Sequence, residues 1–262
     1  MEQYPVHQLP HYMLSDRLHM TVPVPKQLRV RGKFPDDPHL VFLTVVGSRR
    51  CTAYGRDACQ RLIRGLSGYP VVIVSGLAVG IDTVAHESAI DAGLATMAFP
   101  GSGLGAKTIY PRSNAGLALR ILESGGCLAS ELDDDIQGNS WTFPARNRLM
   151  AGISKATLLI EGSHASGSRI TARLATEYNR DVLAVPGNIT NESSEAPNSL
   201  IRLGATPITC AEDLLEALGF QASGQPPLTL FPVCTPDEEL VMKKLPSPKS
   251  KGELIRELGM PI

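Results

Sequence analysis

A repeating grammar constrains this chain more than any other feature: a short apolar run, a loop built on glycine and small residues, then a stretch with helical periodicity. The runs are VFLTVV (41–46), VVIVS (71–75), LATMAFP (94–100), ATLLIE (156–161) and DVLAVP (181–186), with a shorter strand predicted at Cys127–Ser130. Helices are predicted at about 53–66, across AHESAIDAG, and near 114–123, 145–153, 169–178 and 211–218. None of the runs alternates between polar and apolar residues, so both faces of each strand must be covered. A parallel sheet with helices on each side does this, whereas a one-sided antiparallel sheet does not. The predicted fold class is therefore α/β, an open doubly wound, mostly parallel sheet. Such sheets bind ligands outside the carboxyl ends of their strands, which makes the loops after the runs the candidate functional segments.

Composition removes several alternatives. The 262 residues are 43% hydrophobic and 19% charged, enough apolar material for a core and too much for a disordered chain. No apolar stretch reaches the roughly 20 residues that a membrane span requires. Five scattered cysteines, Cys51, Cys59, Cys127, Cys210 and Cys234, include no CxxC pair, which argues against a disulfide scaffold or a zinc module. The first residues carry neither a basic start followed by an apolar core nor a small-residue cleavage site, so a cytoplasmic location is expected. A net charge of −1 means that any affinity for nucleic acid must rest on a local patch. Around the repeating unit, residues 1–40 are interrupted by prolines and read as an irregular extension; 41–218 carry the α/β pattern; 219–235 read as a linker; 236–262 hold two short helix-like segments.

The strand-end loops are rich in groups that hold anions. Gly47-Ser48-Arg49-Arg50 follows the first run and combines the free amides of a helix start with two guanidiniums suited to bidentate phosphate contacts. A tight turn with two solvated arginines fits the tetrapeptide equally well. The spacing G-x-G-x-x-G is absent, which removes the main support for a nicotinamide or flavin site. Ser75, Gly76 and Gly80 sit in the second loop, where glycine permits positive φ or close backbone approach. Asp82 reads as a helix cap, and His86 as a buried, satisfied side chain. Tyr110 could stack on a base. Arg146, Asn147 and Arg148 lie where a helix begins, and residues two apart do not share a helix face, so at most one of the arginines should reach a cleft. Ser166, Gly167 and Ser168 offer hydroxyls and amides at another helix start. Between 144 and 173, Arg146, Arg148, Lys155, Arg169 and Arg173 face a single carboxylate, Glu161, a local basic surplus in a nearly neutral protein. Glu131 with Asp133, Asp134 and Asp135 reads as a solvated acidic turn without metal-loop spacing.

The ordered set VVGSRR, VSGLAVGID, IYPRSN, FPARNRLMAG, EGSHASGSRITARLA, AVPGN and NSLIRLGA resembles the DNA-processing protein A (DprA/Smf) family over about residues 41–218. The resemblance implies a Rossmann-like domain that binds single-stranded DNA independently of sequence, protects it, and loads a RecA-type recombinase during natural transformation. It implies no catalytic residue, no cofactor and no metal. Carried over position by position, the family's DNA pocket falls on Gly47, Ser48, Arg49, Arg50, Ser75, Gly76, Gly80, Arg146, Asn147, Arg148, Ser166, Gly167 and Ser168. It also implies a homodimer, formed through roughly 181–218, where the recombinase would dock too. The tail resembles the first two helices of a winged helix, without a third helix or wing. Two departures stand out: the irregular 1–40 replaces a helical N-terminal domain, and SSEAPNSLI replaces a glycine- and cysteine-containing spelling before the last helix.

Two other readings compete. A nucleoside-monophosphate phosphoribohydrolase of the lysine-decarboxylase-like group would need a PGGxGTxxE motif, but GSHASGSRIT stands there and Glu177 lies too far along the helix to replace its carboxylate. A sensor that binds a free nucleotide would use the same phosphate-holding loops.

Overall fold

The computed structural model describes residues 1, 3–9 and 16–221. In chain order the elements are β1 (Val6–Leu9), α1 (Asp16–His19), β2 (Leu28–Gly32), β3 (Val41–Val46), α2 (Ala53–Arg64), β4 (Val71–Ser75), α3 (Ile81–Asp91), β5 (Ala95–Ala98), α4 (Ala115–Glu123), β6 (Cys127–Ser130), α5 (Thr142–Ile153), β7 (Ala156–Leu159), α6 (Ser168–Glu177), β8 (Asp181–Ala184), α7 (Glu195–Arg202), β9 (Thr206–Pro207) and α8 (Ala211–Ala217). The strands form one sheet in the order β1-β2-β6-β5-β4-β3-β7-β8-β9. From β6 to β9 every pair is parallel.

The unbroken apolar runs divide as their period of two requires. Leu43 and Val45 of β3, Ile73 of β4 and Leu158 of β7 join one core, under α2, α3 and α8. Phe42 and Val46, Val72 and Val74, and Leu159 join the core on the opposite face, with Leu149, Met150 and Ile153 of α5. At α2 the sequence gives the backbone an acceptor: Thr52 caps the helix by accepting from the Gly55 amide at 3.0 Å. The chain walks outward from β3 through β4 and β5 to β6, then returns to the other side of β3 for β7. That reversal makes the gap between β3 and β7 the topological switch point, where a cleft opens beyond the strand ends.

Residues 1–40 differ from the expected irregular extension. They supply β1 and β2, and β2 pairs antiparallel with β6, Arg29 opposite Ser130 and Gly32 opposite Cys127. Arg31 is buried there, with Nε donating to the Leu104 carbonyl at 3.0 Å and Nη1 to the carbonyls of Met1 and Tyr4 at 2.8 and 2.7 Å. Burial lowers the pKa of this guanidinium, and its three carbonyl partners explain how a cation is accommodated there. Helix α7 and strand β9 are additional to the sequence-based elements. Met1–Gln221 form one compact unit. Most of the expected linker and the whole winged-helix-like tail, 222–262, lie outside the described residues. Among the described residues no helix is long and apolar enough to cross a membrane.

Candidate functional site

A cavity of about 400 Å³ lies at the switch point, lined by Gly47, Ser48, Arg49 and Arg50 after β3, by Ser140, Phe143, Pro144, Arg146 and Asn147 at the start of α5, and by Ser163, Ser166, Gly167 and Ser168 after β7. Each loop reaches it for a local reason. Gly47 has no Cβ because Ile81 packs where one would sit, its Cγ1 2.6 Å away. Ser48 Oγ accepts from the Arg50 amide at 3.1 Å, a local turn that leaves both arginines exposed. Gly167 is the N-cap of α6 and makes no side-chain cap bond, while Ser166 Oγ lies 2.5 Å from Ser168 Oγ. The start of this ten-residue helix brings two hydroxyls and the positive end of the helix dipole to the cavity, its amides at 168, 169 and 170 donating within the turn to Ser166 and Gly167, a setting that favours an anion. At α2 the same electrostatic demand is met internally: buried Glu161 accepts from the Thr52 amide and hydroxyl, both at 2.8 Å.

Arg146 organises the floor. Its Nη1 donates to the Gly76 carbonyl at 2.6 Å and to the Phe99 carbonyl, and its Nε donates to Asn147 Oδ1 at 3.1 Å. Burial pulls the guanidinium down to about 10, with Asp82 opposing the shift and Arg49 adding to it, so the group is cationic at neutral pH. Asp82 does not cap its own helix as expected. Its Oδ2 accepts from the amides of Gly76 and Ala78 at 3.1 and 3.3 Å, tying the β4–α3 loop. Burial raises this carboxyl above the ordinary range, against the stabilising pull of Arg146 and those amides.

The structure separates the two arginines of the α5 start. Arg146 faces the cavity; Arg148 is buried and forms an ion pair with Glu131, Nη2 lying 2.5 Å from both carboxylate oxygens. Arg148 is thus corrected from a binding residue to a structural one, because pairing a largely buried cation outweighs leaving it free. Ser75 is likewise not at the surface: it is buried and its Oγ donates to the Val45 carbonyl at 2.7 Å. Gly80 sits behind the cavity wall at φ 86°, its Cα side closed by the backbone of Ser48 and Arg49. The basic stretch of 144–173 also divides. Lys155 precedes β7 at the far end of the sheet and donates to the Leu218 carbonyl at 2.8 Å. Arg169 stays near the α6 start, donating to the His164 carbonyl at 2.9 Å. The acidic turn is partly used as well, Asp133 and Asp134 pairing with Arg29 at 3.2 Å.

Aromatic groups complete the rim. The Arg49 guanidinium lies 5.5 Å from the Phe143 ring centre, and Tyr110 meets Phe143 with ring centres 5.3 Å apart. A second recess of about 130 Å³ is lined by Gly76, Tyr110, Phe143, Arg49 and Arg146 among others. The sequence points to Tyr110 and not to Phe143, whose signal is its place one residue before Pro144 in the first turn of α5.

His86 is buried, with Nδ1 2.7 Å from Thr96 Oγ1. Burial, reinforced by Arg146, lowers it to about 3, so it stays neutral in the folded state. A histidine held down in this way contributes stability above its unfolded value near 6.5 that is lost as pH falls toward the folded value. Below about pH 6 the protein should lose about 1.4 kcal/mol per pH unit relative to His86→Asn. Asp82 acts with the opposite sign in both proteins, so the difference between their urea midpoints at pH 7 and pH 5 isolates His86; equal differences would exclude it.

The fold and cleft define a doubly wound α/β protein whose switch point is lined by arginines, hydroxyls and a helix start and flanked by aromatic rings. The family model for DNA recombination-mediator protein A matches residues 3–219, and the chain belongs to that family. It is 41% identical over 221 residues to Protein Smf of Escherichia coli (strain K12), covering 84% of this chain and 57% of that one. It is 39% identical over 178 residues to DNA processing protein DprA of Streptococcus pneumoniae, covering 68% and 62%. The chain thus spans 57–62% of the length of these curated relatives. The crystal structure of the Streptococcus pneumoniae protein superposes with a TM-score of 0.73 at 34% identity, over 82% of this chain and 74% of that one. DNA processing protein A of Helicobacter pylori, whose structure is described for a unique single-stranded DNA binding mode, gives 0.73 at 26% identity, over 82% and 96%.

Proposed function

We propose that this chain binds single-stranded DNA without sequence preference, protects it, and passes it to a RecA-type recombinase in the cytoplasm during DNA uptake, without performing chemistry on it. The observation that carries the reading is the convergence of Arg49, Arg50 and Arg146 with the start of α6 at one cavity, next to a recess lined by Phe143 and Tyr110. Cations, hydroxyls and the positive end of a helix suit consecutive phosphates, and aromatic faces suit any base. Asp82, which lines the cavity, and Glu161 at the start of α2 are bound to backbone amides, which disfavours an acid–base role in glycosidic hydrolysis. The binding residues are Gly47, Ser48, Arg49, Arg50, Gly76, Arg146, Asn147, Ser166, Gly167 and Ser168, with Gly80 shaping the loop. Self-association and recombinase docking are assigned to the 181–218 side, where Ile189 and Leu203 are 90% and 72% exposed and the sheet ends in the two-residue edge strand β9.

Fluorescence anisotropy with oligothymidylates of increasing length tests the reading. Affinity should rise with length and fall steeply with salt. Saturation by thymidine monophosphate with no gain from length would replace it with a nucleotide sensor. Arg49→Ala and Arg50→Ala should each lower the slope of log affinity against log salt by about 0.7, one phosphate on a single strand. Unchanged slopes in both variants would remove these arginines from the interface.

A further inference from the structure

We propose that Trp141 is a stacking platform for a nucleobase lying outside the cavity, beside the nucleotides whose phosphates the arginines hold. The inference rests on the strand-binding reading above and adds a subsite to it. Trp141 is the single tryptophan of the chain, and it is 84% exposed. An indole left in water at a fixed place is a large apolar face without a partner.

The helix start does not need this side chain. Trp141 is the N-cap of α5 and makes no side-chain cap bond, a position where short polar residues are favoured. Asn139 does the local work instead: its Oδ1 accepts from the amides of Trp141 and Thr142 at 2.9 and 3.2 Å, and its own amide donates to Thr142 Oγ1 at 2.9 Å. The backbone beneath the indole is therefore held by three hydrogen bonds, so the ring is presented from a rigid base, which lowers the entropy lost on binding.

Its surroundings select the occupant. Ser140 and Phe143 line the cavity, as does Pro144, which lies three residues on and shares the face of Trp141 at the start of the helix. The rim then carries Arg49 over Phe143 and Phe143 against Tyr110. An anionic chain with flat, apolar bases matches this alternation of cations and rings, and stacking on an indole accepts every base. A protein partner would be matched less well by one ring at the edge of an arginine-lined cleft.

Because the chain has one tryptophan, its emission reports on position 141 alone. Titration of the whole chain with a long oligothymidylate should quench this emission, and thymidine monophosphate should not. Trp141→Ala should weaken binding of the long strand about tenfold, within the range of one base–aromatic stack, with the salt slope unchanged. Trp141→Phe should recover most of the loss. Binding by anisotropy with unchanged emission, or with Trp141→Ala equal to the parent, would overturn the platform and leave strand binding intact. No binding of any oligonucleotide would overturn both. Emission that instead follows protein concentration without DNA, together with self-association lost in Trp141→Ala, would assign the ring to a second copy and overturn the proposal.

Discussion

Arg146→Ala is expected to cost the fold about 3 kcal/mol and to weaken strand binding more than tenfold. One guanidinium joins three parts of the cleft floor: Nη1 serves the Gly76 and Phe99 carbonyls beyond β4 and β5, and Nε serves Asn147 on α5. Gly76 permits this approach, since a side chain there would overlap the guanidinium. Alanine would leave both carbonyls without this donor, each at a cost of about 1–3 kcal/mol if water cannot replace it. It would also withdraw the cation that favours the ionised form of buried Asp82, so that carboxyl should rise further. Arg146→Lys separates the two roles. A compact ammonium keeps the charge but cannot span the same acceptors, so affinity should recover more than stability does. Urea denaturation and anisotropy on the three proteins check this, and an unchanged midpoint for Arg146→Ala would show that the floor does not depend on it.

The division between Arg146 and Arg148 shows where sequence reading stops. Strands β3, β4 and β7 are legible because burial on both faces demands unbroken apolar runs, and the loops after them are legible because glycine and small residues mark backbone that must turn or approach closely. That one arginine of the pair should leave the cleft follows from helix geometry, but which one depends on Glu131, seventeen residues away in sequence and brought close by β6. Lys155 is counted with the patch in sequence and lies at the opposite end of the sheet, because a strand separates it from the loop at 163–168. Strand β2 escapes notice because Leu28-Arg29-Val30-Arg31-Gly32 offers two apolar residues, and its buried Arg31 is satisfied by carbonyls distant in the chain. Helix α7 carries Pro197 in its first turn, where proline is tolerated but reads locally as a breaker. Residues whose roles are set by local backbone chemistry are readable, and those set by distant partners are not.

Gly80→Ala should destabilise the protein by about 4 kcal/mol and disable the arginine loop together with it. Gly80 adopts φ 86° and ψ −130°, a conformation essentially reserved for glycine. A Cβ there would meet the Ser48 carbonyl oxygen and lie 2.6 Å from that of Arg49. The two loops are also joined by the Ile81 amide, which donates to the Ser48 carbonyl at 3.1 Å, so the backbone cannot part without losing that bond. Relief of the overlap must therefore push away the segment that carries Arg49 and Arg50, and strand affinity should fall more than tenfold although no contacting side chain is changed. Gly116→Ala is the matched control. It lies within α4, where an added Cβ meets nothing within 4 Å, and alanine there should add about 0.5–1 kcal/mol through helix propensity. If Gly80→Ala kept both the parent urea midpoint and the parent affinity, the close packing of these two loops would not be what sets the arginines in place.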